Sequence, residues 1–277
     1  MIVLKRGKSE AAIAPEYGGA VVYWRFDGVN ILRPAQHLNA IKADIRNAAC
    51  YPCVPYFGRL QNVANGSGDI IKQDPTFPDA DPMNALHGEG WVNAWRLVGQ
   101  DECLAILEFE HTPWPGRFPY TYKARQRFTI CEHSLSIELT IENYSSVPMP
   151  AGAGLHPFFE REESTTVRFN ADRFWSPPGE DHLGTIGPVP DYLDYSGGGT
   201  LPEIGLDHSY AGFGGRAEII NGASRQTMSS DTPHLHLYAP PGAGFFCLEP
   251  VTHLPGVFGG VTLAPGDTLN IKMKIGT

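Results

Sequence analysis

The chain of 277 residues lacks the features that mark several large classes of protein. Its net charge is -9, and it has no clustered lysine and arginine of the kind that nucleic-acid binding requires. No apolar run approaches the length of a membrane span, and the N-terminal segment has no continuous apolar stretch of a signal peptide. We therefore expect a cytoplasmic protein, a monomer or a homodimer, that binds neither nucleic acid nor membranes.

Cysteine is scarce, and its spacing indicates no disulfide framework. The five cysteines are scattered and odd in number, which is typical of a reducing compartment. Cys50 and Cys53 have the spacing of a redox or zinc pair, but neither a βαβ setting nor a second ligand pair accompanies them. Two buried thiols are the favoured interpretation.

Long helical periodicity is also missing, and residues 35–49 are the best candidate for a helix. Short apolar or alternating segments between glycine and proline turns are frequent instead, which predicts many β-strands. The clearest lie at 20–26, 104–109, 127–130, 135–141, 216–220, 235–238, 245–250 and 269–275. Residues 161–202, rich in Asp, Pro and Gly, predict surface loops with short strands. The pattern favours an all-β sandwich or barrel in one domain, residues 1–277.

One predicted strand near the end of the chain carries a carboxylate. The apolar residues 245–248 run directly into Glu249, and Pro250 follows. Because proline has no amide hydrogen for a ladder, we expect the strand to end here with the carboxylate held in place. Such a group suits a general base, although a glutamate at a strand end is more often simply exposed.

A histidine in the middle of the chain has the same position before a proline. His156 precedes Pro157, with glycines before it and two phenylalanines after it. Imidazole, with an ordinary pKa near ~6.5, is the natural general acid at neutral pH opposite a carboxylate base. Either residue alone is better explained structurally, but two titratable groups each followed by proline indicate a site.

Three further segments carry candidate binding groups. His87 and Trp91 lie in a Gly-rich loop, where an imidazole can bond a hydroxyl and an indole can stack on a sugar. Arg59 follows an aromatic loop and on its own would be a surface charge. Asp207 can accept bonds from paired hydroxyls or form an Asx turn.

A pair of histidines two residues apart competes for attention. His234 and His236 would lie on the same face of a strand, which is a metal-ligand geometry. The glutamate that a cupin-type site needs a few residues later is absent, so structural histidines on a strand face are favoured. Phosphate-loop, dinucleotide and nucleophile-elbow motifs are also absent from the sequence.

Taken in order, these segments resemble the aldose 1-epimerase (galactose mutarotase) family nearly from end to end. Five motifs carry the resemblance, at residues 51–60, 86–88, 154–158, 206–208 and 248–252. The family implies a β-supersandwich with a monosaccharide on a concave sheet face. It implies Glu249 as the base, His156 as the acid, and His87, Arg59 and Asp207 as groups that bind hydroxyls. The implied ring opening and closure needs no metal and no organic cofactor.

The chain departs from the family pattern in its first motif. Gly58 stands where the family commonly has asparagine before Arg59. In an alternative register Asn62 takes the asparagine position, and Val63 replaces the arginine.

Two other functions remain open at this point. One is a sugar-binding or sensing domain without catalysis. The other is a hexose-phosphate epimerase, which predicts several arginines around the pocket. Only Arg59 lies near a motif.

Overall fold

The structure, a computed structural model, describes residues 1–60, 63–64, 70–176, 184–222, 224–256 and 260–277, with only the backbone of 63, 64 and 70. Its helical elements are one α-helix and three 3₁₀ helices within these ranges: α1 Leu38–Ala43, η1 Ile45–Asn47, η2 Gly90–Val92 and η3 Asp191–Leu193. Its strands are β1 Ile2–Arg6, β2 Ser9–Ala14, β3 Ala20–Phe26, β4 Val29–Asn30, β5 Cys50–Cys53, β6 Arg59–Leu60, β7 Val63–Ala64, β8 Ile70–Ile71, β9 Ala85–Leu86, β10 Arg96–Gln100, β11 Leu104–His111, β12 Tyr122–Cys131, β13 Ser134–Asn143, β14 Met149–Ala151, β15 Gly154–Glu160, β16 Thr166–Phe169, β17 Arg173–Ser176, β18 Thr185–Gly187, β19 Gly199–Thr200, β20 Leu206–Ala211, β21 Arg216–Asn221, β22 Ser224–Ser230, β23 His234–Ala239, β24 Phe245–Val251, β25 Val261–Leu263 and β26 Thr268–Gly276.

Two large antiparallel sheets form the molecule. The first runs in the order β1-β2-β3-β5-β15-β24-β23-β20-β17-β18, with β4 added beside β3. The second runs in the order β10-β11-β12-β13-β26-β22-β21-β16-β19. The prediction of an all-β antiparallel sandwich is therefore confirmed.

The sandwich core follows from alternation along the strands. In β13 the buried residues Ile137 and Leu139 alternate with half-buried polar ones, so one face of the second sheet is apolar. These side chains belong to the same buried cluster as Phe246 and Leu248 of the first sheet. The apolar faces of both sheets are thus removed from water against each other, which supplies most of the driving force for folding.

The first sheet is covered on its other face as well. On β24, Cys247 lies between Phe246 and Leu248 and projects to the opposite face of the sheet. There it belongs to a second buried cluster that includes Tyr51 and Phe158. Loops and the short helical segments contribute Ile41, Ile45 and Trp91 to this second cluster. A strand buried on both faces reads as a continuous apolar run, as 245–248 does.

Two expectations about local structure need correction. The helix candidate 35–49 is shorter in the structure, because Asp44 ends α1 in extended backbone and its side chain then caps η1. The prediction that Pro250 ends its strand is wrong, since β24 continues to Val251. The neighbouring strand β23 pairs along β24 on the side away from β15, and this pairing tolerates the proline.

The cysteine interpretation is confirmed, because Cys50 and Cys53 are buried free thiols at the two ends of β5. The predicted loops of residues 161–202 contain β16 to β18, η3 and β19, with residues 177–183 outside the described ranges. No helix in the described part of the chain is long and apolar enough to cross a bilayer.

The packing of the sheets makes a prediction about stability. Leu139 is completely buried between the sheets, so Leu139→Ala removes apolar contacts and leaves a cavity. We expect the free energy of unfolding, measured by urea denaturation, to fall by about 2–5 kcal/mol. Arg127→Ala, on the exposed face of the same sheet, is the matched control and should change it by less than about 0.5 kcal/mol. Equal effects of the two substitutions would contradict this placement of the core.

Candidate active site

A pocket of about 400 Å³ opens on the covered face of the first sheet. This volume lies within the range of small-molecule sites. All five residues that the sequence proposed, Glu249, His156, His87, Arg59 and Asp207, line this pocket. The structure thus brings together groups that lie up to 190 residues apart in the chain.

The register of five adjacent strands places one row of polar side chains across the pocket floor. Tyr51 of β5 is the partner of His156 of β15, Glu249 of β24 is the partner of His236 of β23, and His236 also faces Ser209 of β20. Paired residues of an antiparallel sheet project to the same face, so their side chains meet. Residues distant in sequence become neighbours in this way.

The centre of the row is a contact between Glu249 and His156. His156 Nε2 lies 3.2 Å from Glu249 Oε1, and only 1% of the Glu249 side chain is exposed. Burial raises the pKa of Glu249 well above its ordinary value and lowers the pKa of His156 well below its own. The imidazole stacks on Phe158 at 4.7 Å between centroids and also contacts the ring of Tyr51 at 4.5 Å in a tilted arrangement. The pair is therefore held in close contact in the pocket floor, and neither oxygen of Glu249 has a hydrogen-bond partner among the described residues.

Prolines in β15 and β24 interrupt the ladder beside this pair. The two strands pair at Gly154–Val251 and again from Phe158–Cys247, but not at the residues between. Pro157 lies in this interval on β15 and cannot donate a ladder hydrogen bond, and the same holds for the proline of β24. The residue-before-proline pattern that suggested a strand end instead marks a gap in the middle of the sheet.

His87 approaches the pocket from a loop that follows β9. Its φ of 57° lies in the left-handed region, which is uncommon for a residue other than glycine. Its Nδ1 accepts a hydrogen bond from the Gly58 amide at 3.1 Å, so the neutral ring carries its proton on Nε2. Burial, helped by the charges of His236 and Arg59, lowers the pKa of His87 to about 3. The ring is consequently a neutral donor.

The loop that carries His87 depends on buried supports. A side chain at Gly88 would come within 2.1 Å of the Val54 carbonyl oxygen, so only glycine fits there. Trp91 is fully buried and donates from Nε1 to the carbonyls of Leu86 and Gly88, at 3.0 and 3.1 Å. The expectation that Trp91 stacks on a sugar is therefore wrong, because this indole holds the loop from beneath.

A buried contact between Glu89 and His111 fastens the same loop to the second sheet. Glu89 accepts from His111 Nδ1 at 2.8 Å and from the Phe118 amide at 3.3 Å. His111 Nε2 lies 2.7 Å from the Phe118 carbonyl oxygen, so both ring nitrogens contact oxygen atoms. The position of His87 thus rests on contacts that reach across the sandwich.

Asp207 lies on strand β20, which removes the Asx-turn alternative. His236 Nε2 is 3.1 Å from its Oδ1, and His236 Nδ1 is 2.7 Å from Ser209 Oγ. Packing around Asp207 opposes ionisation, but the hydrogen bond and charge of His236 and the charge of Arg59 outweigh it and lower its pKa to about 2. Asp207 is therefore an ionised acceptor at neutral pH.

His236 is a pocket residue that the sequence interpretation missed. The pattern of His234 and His236 was attributed to a structural strand face, yet His236 lines the pocket between Glu249 and Asp207. His236 is the cross-strand partner of Glu249, so the two side chains project to the same face of the sheet. The sequence would have indicated this only if the pairing of β23 with β24 had been known.

Comparison with known proteins agrees with this geometry. The family model for aldose 1-epimerase matches residues 1–276. The chain belongs to the aldose 1-epimerase family.

Relatives of the chain share its length. The uncharacterized protein YphB of Escherichia coli K12 is 26% identical over 292 residues, covering 98% of this chain and 97% of YphB. Among solved structures, an Escherichia coli K12 protein provisionally named an aldose 1-epimerase has a TM-score of 0.87 at 24% identity, covering 99% and 97% of the two chains. A galactose 1-epimerase from Lactobacillus acidophilus has a TM-score of 0.81 at 17% identity, covering 99% and 92%. At these identities the solved structures show a shared fold.

Within this aldose 1-epimerase fold, Arg59 lies at the rim of the pocket. Its Nε is 3.1 Å from Asp81 Oδ2 and its Nη1 is 3.8 Å from Asp207 Oδ2. The register of the first motif in which Arg59 is the arginine of the family pattern therefore agrees with its position at the pocket. Asn62, which the alternative register requires, lies outside the described residues.

Arginines are more numerous around the pocket than the motifs of the family indicated. Arg33 and Arg46 line it in addition to Arg59. Neither lies in one of the five motifs, because Arg33 follows β4 and Arg46 belongs to η1. The expectation of a single pocket arginine is corrected by the structure.

One group of side chains in the described ranges could hold a metal ion. Ligand atoms of His156, Cys247 and Glu249 lie within 4.8 Å of one another. Two of the three belong to the acid/base pair, so a bound metal would occupy the carboxylate and imidazole that proton transfer requires.

The contact between His236 and Asp207 generates a prediction for this aldose 1-epimerase site. His236→Leu removes a hydrogen bond and a charge that stabilise the carboxylate while leaving its surroundings packed. We expect the pKa of Asp207 to rise from about 2 towards or above the ordinary value, followed by ¹³C NMR titration of the carboxyl carbon. His234→Leu, two residues away on the same strand, is the control and should leave that titration unchanged. An unaltered Asp207 titration in His236→Leu would show that His236 does not set this pKa.

Proposed function

We propose that the protein is a mutarotase, which interconverts the α and β anomers of a free monosaccharide by opening and closing the sugar ring. The observation that carries this proposal is the 3.2 Å contact between Glu249 and His156 in the floor of a sugar-sized pocket. A matched acid and base side by side is what anomerisation requires, because the reaction moves one proton off a sugar and one proton onto it.

The steps balance without any other reactant. The Glu249 carboxylate takes the proton of the anomeric hydroxyl as the His156 imidazolium gives its proton to the ring oxygen, and the bond between C1 and the ring oxygen breaks. The open aldehyde rotates about its C1–C2 bond. His156 then takes the proton from the hydroxyl that attacks C1, and Glu249 returns its proton to the former carbonyl oxygen. The enzyme ends in its initial protonation state.

The electrostatics of the pair suit this exchange. Burial raises the pKa of Glu249 and lowers the pKa of His156, so the two groups together hold a single proton over a wide range of pH. That proton can sit on either partner. The active arrangement, carboxylate beside imidazolium, therefore differs from the neutral arrangement only by a shift of one proton across the contact.

The remaining pocket groups orient the sugar. His87 presents a neutral Nε2 donor, whereas ionised Asp207 accepts from ring hydroxyls, and Arg59 donates beside it. Donors and an acceptor at fixed positions hold the anomeric carbon against the acid/base pair, and such positioning lowers the barrier of the reaction. A sugar-binding domain without catalysis would need these three groups but not a buried acid and base in contact.

Substitution of the pair tests the mechanism. Glu249→Gln and His156→Asn remove the proton acceptor and the proton donor with little change of shape, so each should lower the enzyme-catalysed rate constant by about 10²- to 10⁴-fold. Equilibration of freshly dissolved α-glucose, α-galactose and a panel of other aldoses, followed by polarimetry, measures this. The exposed Glu160→Gln at the end of the neighbouring β15 is the control and should keep the wild-type rate.

Two results would contradict the proposal. If the wild-type protein accelerates none of the aldoses above the buffer rate, the pocket binds sugars without anomerising them. If either variant retains the wild-type rate, the substituted residue takes no part in proton transfer. Sugar binding, measured by titration calorimetry, should persist in both variants because the hydroxyl-binding groups are intact.

The pH dependence follows from the direction of the two shifts. A second proton joins the pair only well below the ordinary histidine value of 6.5, because the pKa of His156 is lowered. The last proton leaves only well above the ordinary glutamate value of 4.5, because the pKa of Glu249 is raised. We expect the enzyme-catalysed rate constant, after subtraction of the buffer rate, to stay constant as the pH falls through 6.5. A half-maximal rate at pH 6.5 would indicate an unperturbed histidine and contradict this assignment.

A further inference from the structure

Arg33 is a pocket arginine with an unusual environment. Its guanidinium lies 4.0 Å from the ring centroid of Phe158 and 4.4 Å from that of Phe245. Its Nη2 donates to the carbonyl oxygens of Arg46 and Ala48, at 2.7 and 3.0 Å. Among the described residues, no carboxylate oxygen lies within 4.0 Å of this guanidinium. A half-buried cation without an anionic partner is unfavourable, which the ring faces only partly offset.

Arg46 lies beside Arg33 on the same wall of the pocket. Its Nε and Nη2 form an ion pair with Asp44, the shortest distance being 2.7 Å, and this contact leaves Nη1 unused. The two guanidinium groups are linked through the backbone, because Arg33 binds the carbonyl of Arg46. Both arginines line the cavity.

The position of these arginines relative to the acid/base pair identifies the part of a sugar that they face. His156 stacks on Phe158, and Phe158 in turn carries Arg33 on its ring, so Arg33 lies beside the acid. Phe158 belongs to β15, and two strands separate β15 from β20, which carries Asp207. In the proposed reaction His156 protonates the ring oxygen. The carbon on the other side of that oxygen bears the exocyclic substituent of a pyranose. In such a pose the substituent lies beside His156, in the part of the pocket that Phe158 and Arg33 line.

The charges of the pocket fit an anion at this end. Arg46 and Arg59 each have an aspartate partner outside the acid/base pair, Asp44 and Asp81. Asp207 is bound by His236 on the opposite side. Arg33 forms no close ion pair among the described residues, and Asp44, the carboxylate whose charge acts on it, is already paired with Arg46. The neutral hydroxymethyl group of an ordinary hexose would leave Arg33 without a close anionic partner.

We propose that the natural substrate is an acidic monosaccharide, whose exocyclic carbon either is a carboxylate or carries a phosphate, and that Arg33 and Arg46 bind this anionic group. The inference rests on the proposed function for the anomeric chemistry and adds the class of sugar. Guanidinium groups are well suited to the role because their planar donors match the oxygens of both anions. The anion could be the carboxylate of a hexuronate or the phosphate of a hexose phosphate, and the second case corresponds to the hexose-phosphate epimerase considered from the sequence.

Matched sugars test the inference. Anomer exchange at equilibrium is measured by NMR for galactose, galacturonate and galactose 6-phosphate, and for the corresponding three sugars of the glucose series. We expect kcat/KM for an acidic member to exceed that of its neutral counterpart by at least about tenfold, the scale of one charged hydrogen bond. The uronate and the phosphate arms show which anion fits. Equal or faster turnover of the neutral sugars would overturn the inference and leave the proposed function intact.

Substitution of Arg33 connects the preference to the residue. Arg33→Met should lower the ratio of acidic to neutral kcat/KM by about tenfold, and Arg33→Lys should lower it less because the charge remains. Arg25→Met is the control, because Arg25 also stacks on an aromatic ring, that of Tyr23, but lies outside the pocket. If Arg33→Met fails to fold, Arg46→Met serves in its place. An unchanged ratio in the folded variants would overturn the assignment.

A complete lack of turnover is informative in a different way. If the protein accelerates none of the six sugars, the proposed function fails, and binding decides the inference separately. Titration calorimetry of the wild-type protein and of the arginine variants with galactose and galacturonate, and with galactose 6-phosphate, then measures affinity. Tighter binding of an acidic sugar that the arginine substitution abolishes supports the anion site. Equal affinities for acidic and neutral sugars contradict it.

Discussion

The structure depends most on the burial of one carboxylate, Glu249, in the middle of a large sheet. A buried carboxyl group without partners is costly, and here its near neighbour is the imidazole of His156 at 3.2 Å. Both groups are held in place, because β15 also pairs with β5, β24 also pairs with β23, and the ring of His156 packs against Tyr51 and Phe158. The sandwich supplies this rigidity: its second sheet covers one face of the first sheet, and loops cover the other.

The prolines give the site its local shape. A continuous ladder between β15 and β24 would hold the two backbones in regular register, but pairing lapses between Gly154–Val251 and Phe158–Cys247. Pro157 and Pro250 lie in this interval and have no amide hydrogen to offer. Glu249 and His156 thus lie where the ladder between β15 and β24 is interrupted. The pairing of β15 with β5 and of β24 with β23 keeps the sheet continuous around this interruption.

The sequence predicted eight of the strands because alternation and turn chemistry are local. It also named five motif residues that the structure places in one pocket, because the motifs are contiguous. Its failures are of a different kind. The strand end at Pro250 was misjudged because the sequence does not show the pairing with β23 that continues past the proline. His236, Arg33 and Arg46 were missed because they reach the pocket only through strand order and a returning loop. Trp91 was misassigned because a Gly-rich loop does not reveal whether its indole faces a ligand or the core.

The two carboxylates of the pocket have pKa values shifted in opposite directions, and this difference fits their different proposed roles. Burial raises the pKa of Glu249, and the negative charge of Asp207 raises it further. Asp207 itself keeps a pKa of about 2 because His236 and Arg59 stabilise its charge. Carboxyl groups whose environments push their pKa values apart take different roles in acid/base sites. Since His236 is the cross-strand partner of Glu249 and also binds Asp207, the group proposed to bind hydroxyls is coupled electrostatically to the group proposed to move the proton.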